Sequence, residues 1–261
     1  MRSVRQAIIS MLADRGIALT SQQHLSRLER AVADRVAQAH RQNTPNDHMK
    51  RRAALIQNHG ISLVLDIGAN KGQYAESLRE EIGFQGRIVS FEPLADAYAV
   101  LQQKANGDSL WTCHNIALGD SDGVTKINIS RNSYSSSLLP VSERSLRIEP
   151  TIAYIGEQEI AVRRLDSVLN EIAQPNDKIY LKVDAQGYEM KVLKGALGSI
   201  GRFEMIQLET SFFPAYENEA LIGDVIKFLD VLEYCVVGIE PGWQDSKTGE
   251  MFQADIIFRH K

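Results

Sequence analysis

From Leu63 onward, short apolar runs alternate with amphipathic stretches, and few folds accommodate that pattern. Apolar runs this short are strands buried on both faces, and the segments between them are long enough to return as covering helices, which predicts an α/β protein built on a mostly parallel sheet. Strands are expected near 63–67, 87–91, 110–116, 178–183, 203–209, 234–239 and 252–258, with helices near 72–81, 94–105, 187–198 and 219–232. The end, "VVGIEPGWQDSKTGEMFQADIIF", reads as two strands joined by a turn-rich loop, so antiparallel pairing is expected at one edge. Residues 119–165 do not fit a single crossover. They hold a strand near 124–129, the polar run "RNSYSSS" and a strand near 160–164, and read as an inserted hairpin with a loop.

Residues 1–60 read differently, as a helical appendage preceding a 61–261 core domain. Leu25, Leu28, Val32 and Val36 share one helical face, and the break Thr44-Pro45-Asn46-Asp47 precedes a further helix with Leu55 and Ile56. Plain packing, cover over a substrate and a homodimer contact are all open to these helices. Met1 to His59 carry 10 basic residues against 4 acidic. The excess is spread through helical patterns rather than gathered in a patch, so no nucleic-acid partner is expected. Cys113 and Cys235 sit in apolar runs without metal-ligand or disulfide spacing, which fits a reducing, cytoplasmic location. The apolar run Ala7 to Ala13 is shorter than a membrane span and lacks a small-residue cleavage site, so neither a membrane segment nor a signal peptide is expected.

The first strand ends in "LVLDIGANKGQYAESL", an acid followed by Gly68-Ala69-Asn70-Lys71-Gly72 and then a helix. A glycine turn beyond a strand's carboxyl end lets backbone lie against a ligand. The next strand, "RIVSFEP", ends in Glu92, where a carboxylate can accept both hydroxyls of a ribose. A dinucleotide pyrophosphate is disfavoured: the G-x-G-x-x-G loop is missing, and Asp66 would repel it. The same acid favours a cation, since opposite charges 4 Å apart at a partly buried site gain roughly 4 kcal/mol before desolvation. S-adenosylmethionine, with its sulfonium, ammonium and ribose, fits best.

The blocks "VLDIGANKGQYA", "VSFEPLADAYAVLQQKA", "HNIALGDSDG", "RRLDSVL" and "LKVDAQGYEMKVLKGA" occur in this order over roughly 63–258, and the chain resembles the FkbM-like family of S-adenosylmethionine-dependent methyltransferases. The resemblance implies a class I methyltransferase (Rossmann-like) seven-stranded sheet. It also implies O-methylation of a hydroxyl, typically of a sugar in a glycan, glycolipid or glycosylated metabolite. Many members carry Glu where this chain has Gln186.

By the resemblance and by strand-end position, Asp66, Gly68, Ala69, Asn70, Gly72 and Tyr74 are expected around the methionine part. Glu92 and Pro93 would meet the ribose, Asn115, Ile116 and Ala117 the adenine, and Asp184 the methyl group. Candidate bases are Asp184, Glu209 and Glu189, although an acid in the first turn of a helix, as at Glu189, is stabilising on its own account. A Mg²⁺ ion held by Asp184 and Glu209, with Glu189 as a further ligand, is the alternative activator. Ser135, Ser136 and Ser137 in the loop Asn132 to Leu139 offer hydroxyls to a sugar or polyol acceptor, and Trp243 offers a ring face. Two other readings stay open: a non-catalytic nucleoside-binding module of the same fold, and a nicotinamide dehydrogenase.

Overall fold

A computed structural model describes residues 47–245 and 248–261. The chain divides into two units, Met1–Arg51 and Arg52–Lys261, and the second carries the sheet and cavities described below. Residues 1–46 of the expected appendage, with the Leu25 to Val36 face and the homodimer contact assigned to it, lie outside the described residues. No helix among the described residues is long and apolar enough to cross a membrane.

Helix α1 (Asp47–Asn58) starts at the Thr44–Asp47 break. The main sheet then forms from β1 (Leu63–Ile67), β2 (Arg87–Phe91), β3 (Trp111–His114), β7 (Ile179–Val183), β8 (Phe203–Ser211), β9 (Tyr234–Pro241) and β10 (Gln253–His260). Its order is β3-β2-β1-β7-β8-β10-β9. The first five strands in that order run parallel, and β10 runs against both β8 and β9, so the antiparallel pairing falls at the edge marked by the C-terminal sequence. This is the mostly parallel seven-stranded α/β sheet expected of a class I methyltransferase. β1 and β7 are buried at every residue, as strands covered on both faces must be.

Helices α2 (Gln73–Glu80), α3 (Ala95–Ala105), α5 (Leu165–Ile172), α6 (Glu189–Lys194) and α7 (Ile222–Val231) link the strands. Leu65, Phe91, Leu181, Phe203, Leu208 and Phe258 are buried between the layers. Burying each such side chain contributes roughly 1.5–3 kcal/mol. The chain runs β1, β2, β3 outward to one side and resumes with β7 on the other side of β1. That reversal opens a crevice at the carboxyl ends of β1 and β7.

The insertion departs from the sequence pattern. β3 stops at His114, and Ala117–Gly119 leaves the main sheet as β4. β4 pairs in parallel with β6 (Tyr154–Arg164), which pairs antiparallel with β5 (Gly123–Ser130), making a second, three-stranded sheet. Between β5 and β6, the short helix α4 (Glu143–Ile148) is capped by the Ser142 hydroxyl. α5 falls outside the expected helices although Leu165, Val168, Leu169 and Ile172 recur at helical spacing; at eight residues it is one short period directly after a strand. α6 is shorter than the 187–198 expected at both ends: Gln186 (φ 53°) and Gly187 (φ 91°) are left-handed, so the helix starts only after them, and it closes at Lys194 with Gly195 as its C-cap.

Candidate active site

The bend after β1 is shaped first by the protein itself. A Cβ on Gly68 (φ 75°) would lie 1.8 Å from the Asp184 carbonyl oxygen, and the Asp184 amide donates to the Ile67 carbonyl at 3.0 Å. The missing side chain lets the loops after β1 and β7 cross in contact. Gly72 (φ 85°) opens α2, and a Cβ there would meet the Trp111 ring at 2.8 Å. The space a side chain would need at Gly72 is thus filled by tryptophan, so packing alone requires a glycine here.

Beyond the bend lies a cavity of about 310 Å³. Gly68, Asn70, Glu92, Pro93, Ile116, Ala117, Ser136 and Asp184 all line it. Glu92 accepts the Asn70 amide through Oε2 and the Leu94 amide through Oε1, each at 2.8 Å. Burial pushes its carboxyl up to about 7 despite those two donors. Asn70 donates through Nδ2 to the Ser133 carbonyl at 2.9 Å, while its buried Oδ1 has no partner. Asn115 does not line the cavity. It is exposed, and its Nδ2 donates to the Glu92 and Pro93 carbonyls, fixing the turn that carries the acid.

A second cavity, of about 420 Å³, shares Gly68, Asn70, Tyr134 and Asp184 with the first and is also lined by Ala69, Tyr74, Arg52 and Lys182. Lys182 Nζ sits 3.4 Å from Asp66 Oδ1 and 3.5 Å from Asp184 Oδ2. Burial works against this ammonium, but Asp184, Asp66 and Asp255 hold its pKa above the ordinary lysine value. Asp66 itself is fully buried, lines neither cavity and also accepts the Ser90 hydroxyl at 3.3 Å. Its expected role as the charge facing a ligand is corrected: Lys182 covers it, and Asp184 and Asp255 are the carboxylates in the lining. The Tyr74 ring lies beneath both Arg52 and Lys182, and its hydroxyl donates to Gln207 Oε1 at 2.9 Å. Sequence reasoning missed Lys182, although one lysine inside the otherwise apolar "IYLKV", in register with Asp66 of "LVLDI", was the available signal.

The third cavity, about 320 Å³, meets the first at Tyr134, Gln186 and Glu209 and extends past Ser135, Glu149, Tyr216 and Trp243. At this junction the Gln186 amide donates through Nε2 to Asp184 Oδ1 at 2.6 Å and to Glu209 Oε2 at 3.0 Å. Its Oε1 accepts the Tyr216 hydroxyl at 2.7 Å. Burial drives the Glu209 carboxyl well above the usual range, and the negative charges of Asp184, Asp255 and Glu189 add to the effect. Gln253 also donates to Glu209 Oε2, at 3.2 Å, so both amide donors fall on one oxygen. Trp243 packs on Phe252 with ring centroids 4.8 Å apart.

Two further expectations are corrected here. Glu189 is turned away from the cavities: its Oε1 accepts the Ala185 and Gly187 amides at 2.8 and 3.2 Å, and burial raises its carboxyl to about 8. It closes the loop rather than reaching a reacting group. Ser137 is 1% exposed, with its hydroxyl donated to the Gln186 carbonyl at 2.6 Å, so it has nothing left for a substrate. No group of three or more His, Cys, Asp or Glu among the described residues is arranged to hold a metal ion. The Gln186 amide nitrogen occupies the space between Asp184 and Glu209 that the expected Mg²⁺ would need, so this donor set does not fit the ion.

The family model described as the methyltransferase FkbM domain matches residues 66–236. The chain belongs to the FkbM methyltransferase family. That match begins at Asp66 in β1 and ends in β9, so it takes in the glycine bend, Glu92 and the Asp184–Gln186–Glu209 junction. No curated protein matches the chain. Among solved structures, the methyltransferase FkbM from Methylobacillus flagellatus is similar at 16% identity and a TM-score of 0.47, covering 75% of this chain and 43% of that one. TehB from Haemophilus influenzae is 10% identical with a TM-score of 0.43, covering 80% and 60%. Magnesium protoporphyrin IX methyltransferase from Synechocystis, solved with bound SAM, is 10% identical with a TM-score of 0.45, covering 82% and 77%. The chain thus spans less than half the length of the first of these.

Proposed function

We propose that this FkbM domain binds S-adenosylmethionine in the first two cavities and methylates a hydroxyl of a sugar or similar polyol held in the third. The observation that carries this reading is the meeting of the first and third cavities at Gln186 and Glu209, beside Asp184. The donor set suits the cofactor. Glu92 at the end of β2 offers a carboxylate to a ribose diol, Ile116 and Ala117 offer apolar surface to a base, and the partnerless Asn70 Oδ1 offers an acceptor to an ammonium. When bound, the cofactor supplies an electrophilic methyl group on a sulfonium.

The protein's own part is positioning and proton transfer. Holding the acceptor hydroxyl in line can supply roughly 7–11 kcal/mol of the barrier. Asp184 has both carboxylate oxygens engaged, one by Gln186 and one by Lys182, so it serves as fixed negative charge. Glu209 lines the acceptor cavity, and its two amide donors leave Oε1 for a substrate. Because Glu209 lines both the cofactor cavity and the acceptor cavity, its Oε1 is placed to take the hydroxyl proton. Trp243 and the Ser135 hydroxyl line the same cavity and suit the C–H face and hydroxyls of a sugar ring.

Isothermal titration with S-adenosylhomocysteine, with NADH as control, tests the reading. Micromolar binding is expected, with Glu92→Ala weakening it tenfold or more, which is about 1.4 kcal/mol. No binding to the folded wild type, or equal binding of NADH, overturns it.

A further inference from the structure

We propose that Gln186 is a positioning residue whose amide takes the place a divalent cation would hold between Asp184 and Glu209, so that the two carboxylates are fixed without a metal. Both donors of this side chain are used, and its oxygen has an acceptor role of its own. The two Nε2 hydrogens go to Asp184 Oδ1 and Glu209 Oε2, and Oε1 takes the Tyr216 hydroxyl. The reverse orientation of the amide would set Oε1 against two carboxylate oxygens, so the network itself dictates which end faces the acids. Distances of 2.6 and 3.0 Å are those of hydrogen bonds, whereas Mg²⁺ takes oxygens at roughly 2.0–2.1 Å and demands six of them in octahedral array. A cation bridging these two oxygens would have to displace Nε2.

The side chain is also held from behind. Gln186 has φ 53°, a left-handed conformation uncommon for a residue with a side chain. Its carbonyl accepts the Ser137 hydroxyl at 2.6 Å, and a Cβ on the following Gly187 would meet Tyr216 Cδ2 at 2.8 Å. Such backbone cost is retained where the surroundings over-determine it, commonly at functional sites. Here the cost holds a neutral donor between two acids: a carboxylate in its place would add a third negative charge and supply a third oxygen ligand. The amide therefore orients the acid pair at the point where the two cavities meet and at the same time withholds a cation site.

The test is a Mn²⁺ titration read by the electron paramagnetic resonance of the free ion. Wild type is expected to show no saturable site up to about 1 mM, the weak limit of oxygen-ligand sites. Gln186→Glu is expected to acquire a site at least tenfold tighter than any residual wild-type binding, lost again in Gln186→Glu combined with Asp184→Asn. Wild-type binding of Mn²⁺ that Asp184→Asn removes overturns the proposal, and so does a cooperatively unfolding Gln186→Glu protein that gains no affinity. Should Gln186→Glu fail to fold, the wild-type titration decides alone. The role at the junction rests on the methyl-transfer reading, but the titration uses no cofactor, so failure of S-adenosylhomocysteine to bind and binding of Mn²⁺ by wild type are separate failures.

Discussion

The Lys182 ammonium and the Asp66 carboxylate face each other across β7 and β1, in register and 3.4 Å apart, with the lysine 6% and the acid 0% exposed. Lys182→Met should leave Asp66 as an uncompensated buried charge and cost about 3–5 kcal/mol. The double variant Lys182→Met with Asp66→Asn should cost less than the sum of the two single changes, because each removes the other's unpaired partner. Urea denaturation of the three proteins checks this, and simple additivity would refute the coupling.

Gly68→Ala should fail through backbone overlap rather than through the ligand. The new methyl would sit 1.8 Å from the Asp184 carbonyl, which flexible side chains cannot relieve. The β1 and β7 ends must then part, so a lowered melting temperature and weakened S-adenosylhomocysteine binding are expected together. Weakened binding with an unchanged melting temperature would instead assign the glycine to ligand contact alone.

Cofactor affinity should depend on pH through Glu92. Its carboxyl is held up to about 7 chiefly by burial, with Asp66 raising it further and Lys182 opposing. Protonation spends an acceptor oxygen, so S-adenosylhomocysteine affinity is expected to fall as pH drops through about 7, and Glu92→Gln should flatten that dependence. Titrations across this range read it directly.

Folding stability should carry the opposite sign. Glu92 and Glu189 have folded-state values of about 7 and about 8 against an ordinary 4.5, so the folded protein holds their protons more tightly than the unfolded chain does. Their contribution is complete below about pH 4.5 and is lost as pH rises through about 7 and 8. Glu189→Gln should remove the upper part of that fall in the urea midpoint, and an unchanged slope would show that Glu189 does not titrate there.

Glu209→Gln is expected to leave S-adenosylhomocysteine binding within a few-fold of wild type while lowering methyl transfer by roughly 10²–10⁴-fold, the usual worth of a general base. Single-turnover assays over candidate sugar acceptors measure this. Transfer undiminished in Glu209→Gln would move the base elsewhere.

Much of the fold was legible because it is written locally. The apolar runs of β1, β2 and β7, the helices α2 and α3 and the acid closing β2 each announce themselves within a short window, and the glycine bend after β1 marks where a ligand is expected. The second sheet was half-hidden, since β4 is three residues long and pairs with β6, far along the chain. Candidate acids were legible by position, but their roles were not. Asp66, Glu189 and Asp184 look alike in sequence as acids near strand or helix ends. Asp66 disappears beneath Lys182, Glu189 folds onto the amides of its own loop, and Asp184 stays at the cavity. Ser137 and Ser135, two residues apart, separate in the same way, one spent on the Gln186 carbonyl and the other lining the third cavity.

The sequence by itself therefore determined the strands of the main sheet, several of the helices that cover it and which family the chain joins, because periodicity, turn residues and motif order are properties of neighbours along the chain. Only the tertiary structure decided which carboxylates face a cavity, which are buried and which amide stands between Asp184 and Glu209. Burial, desolvation and hydrogen-bond partnership arise between residues that only folding brings together.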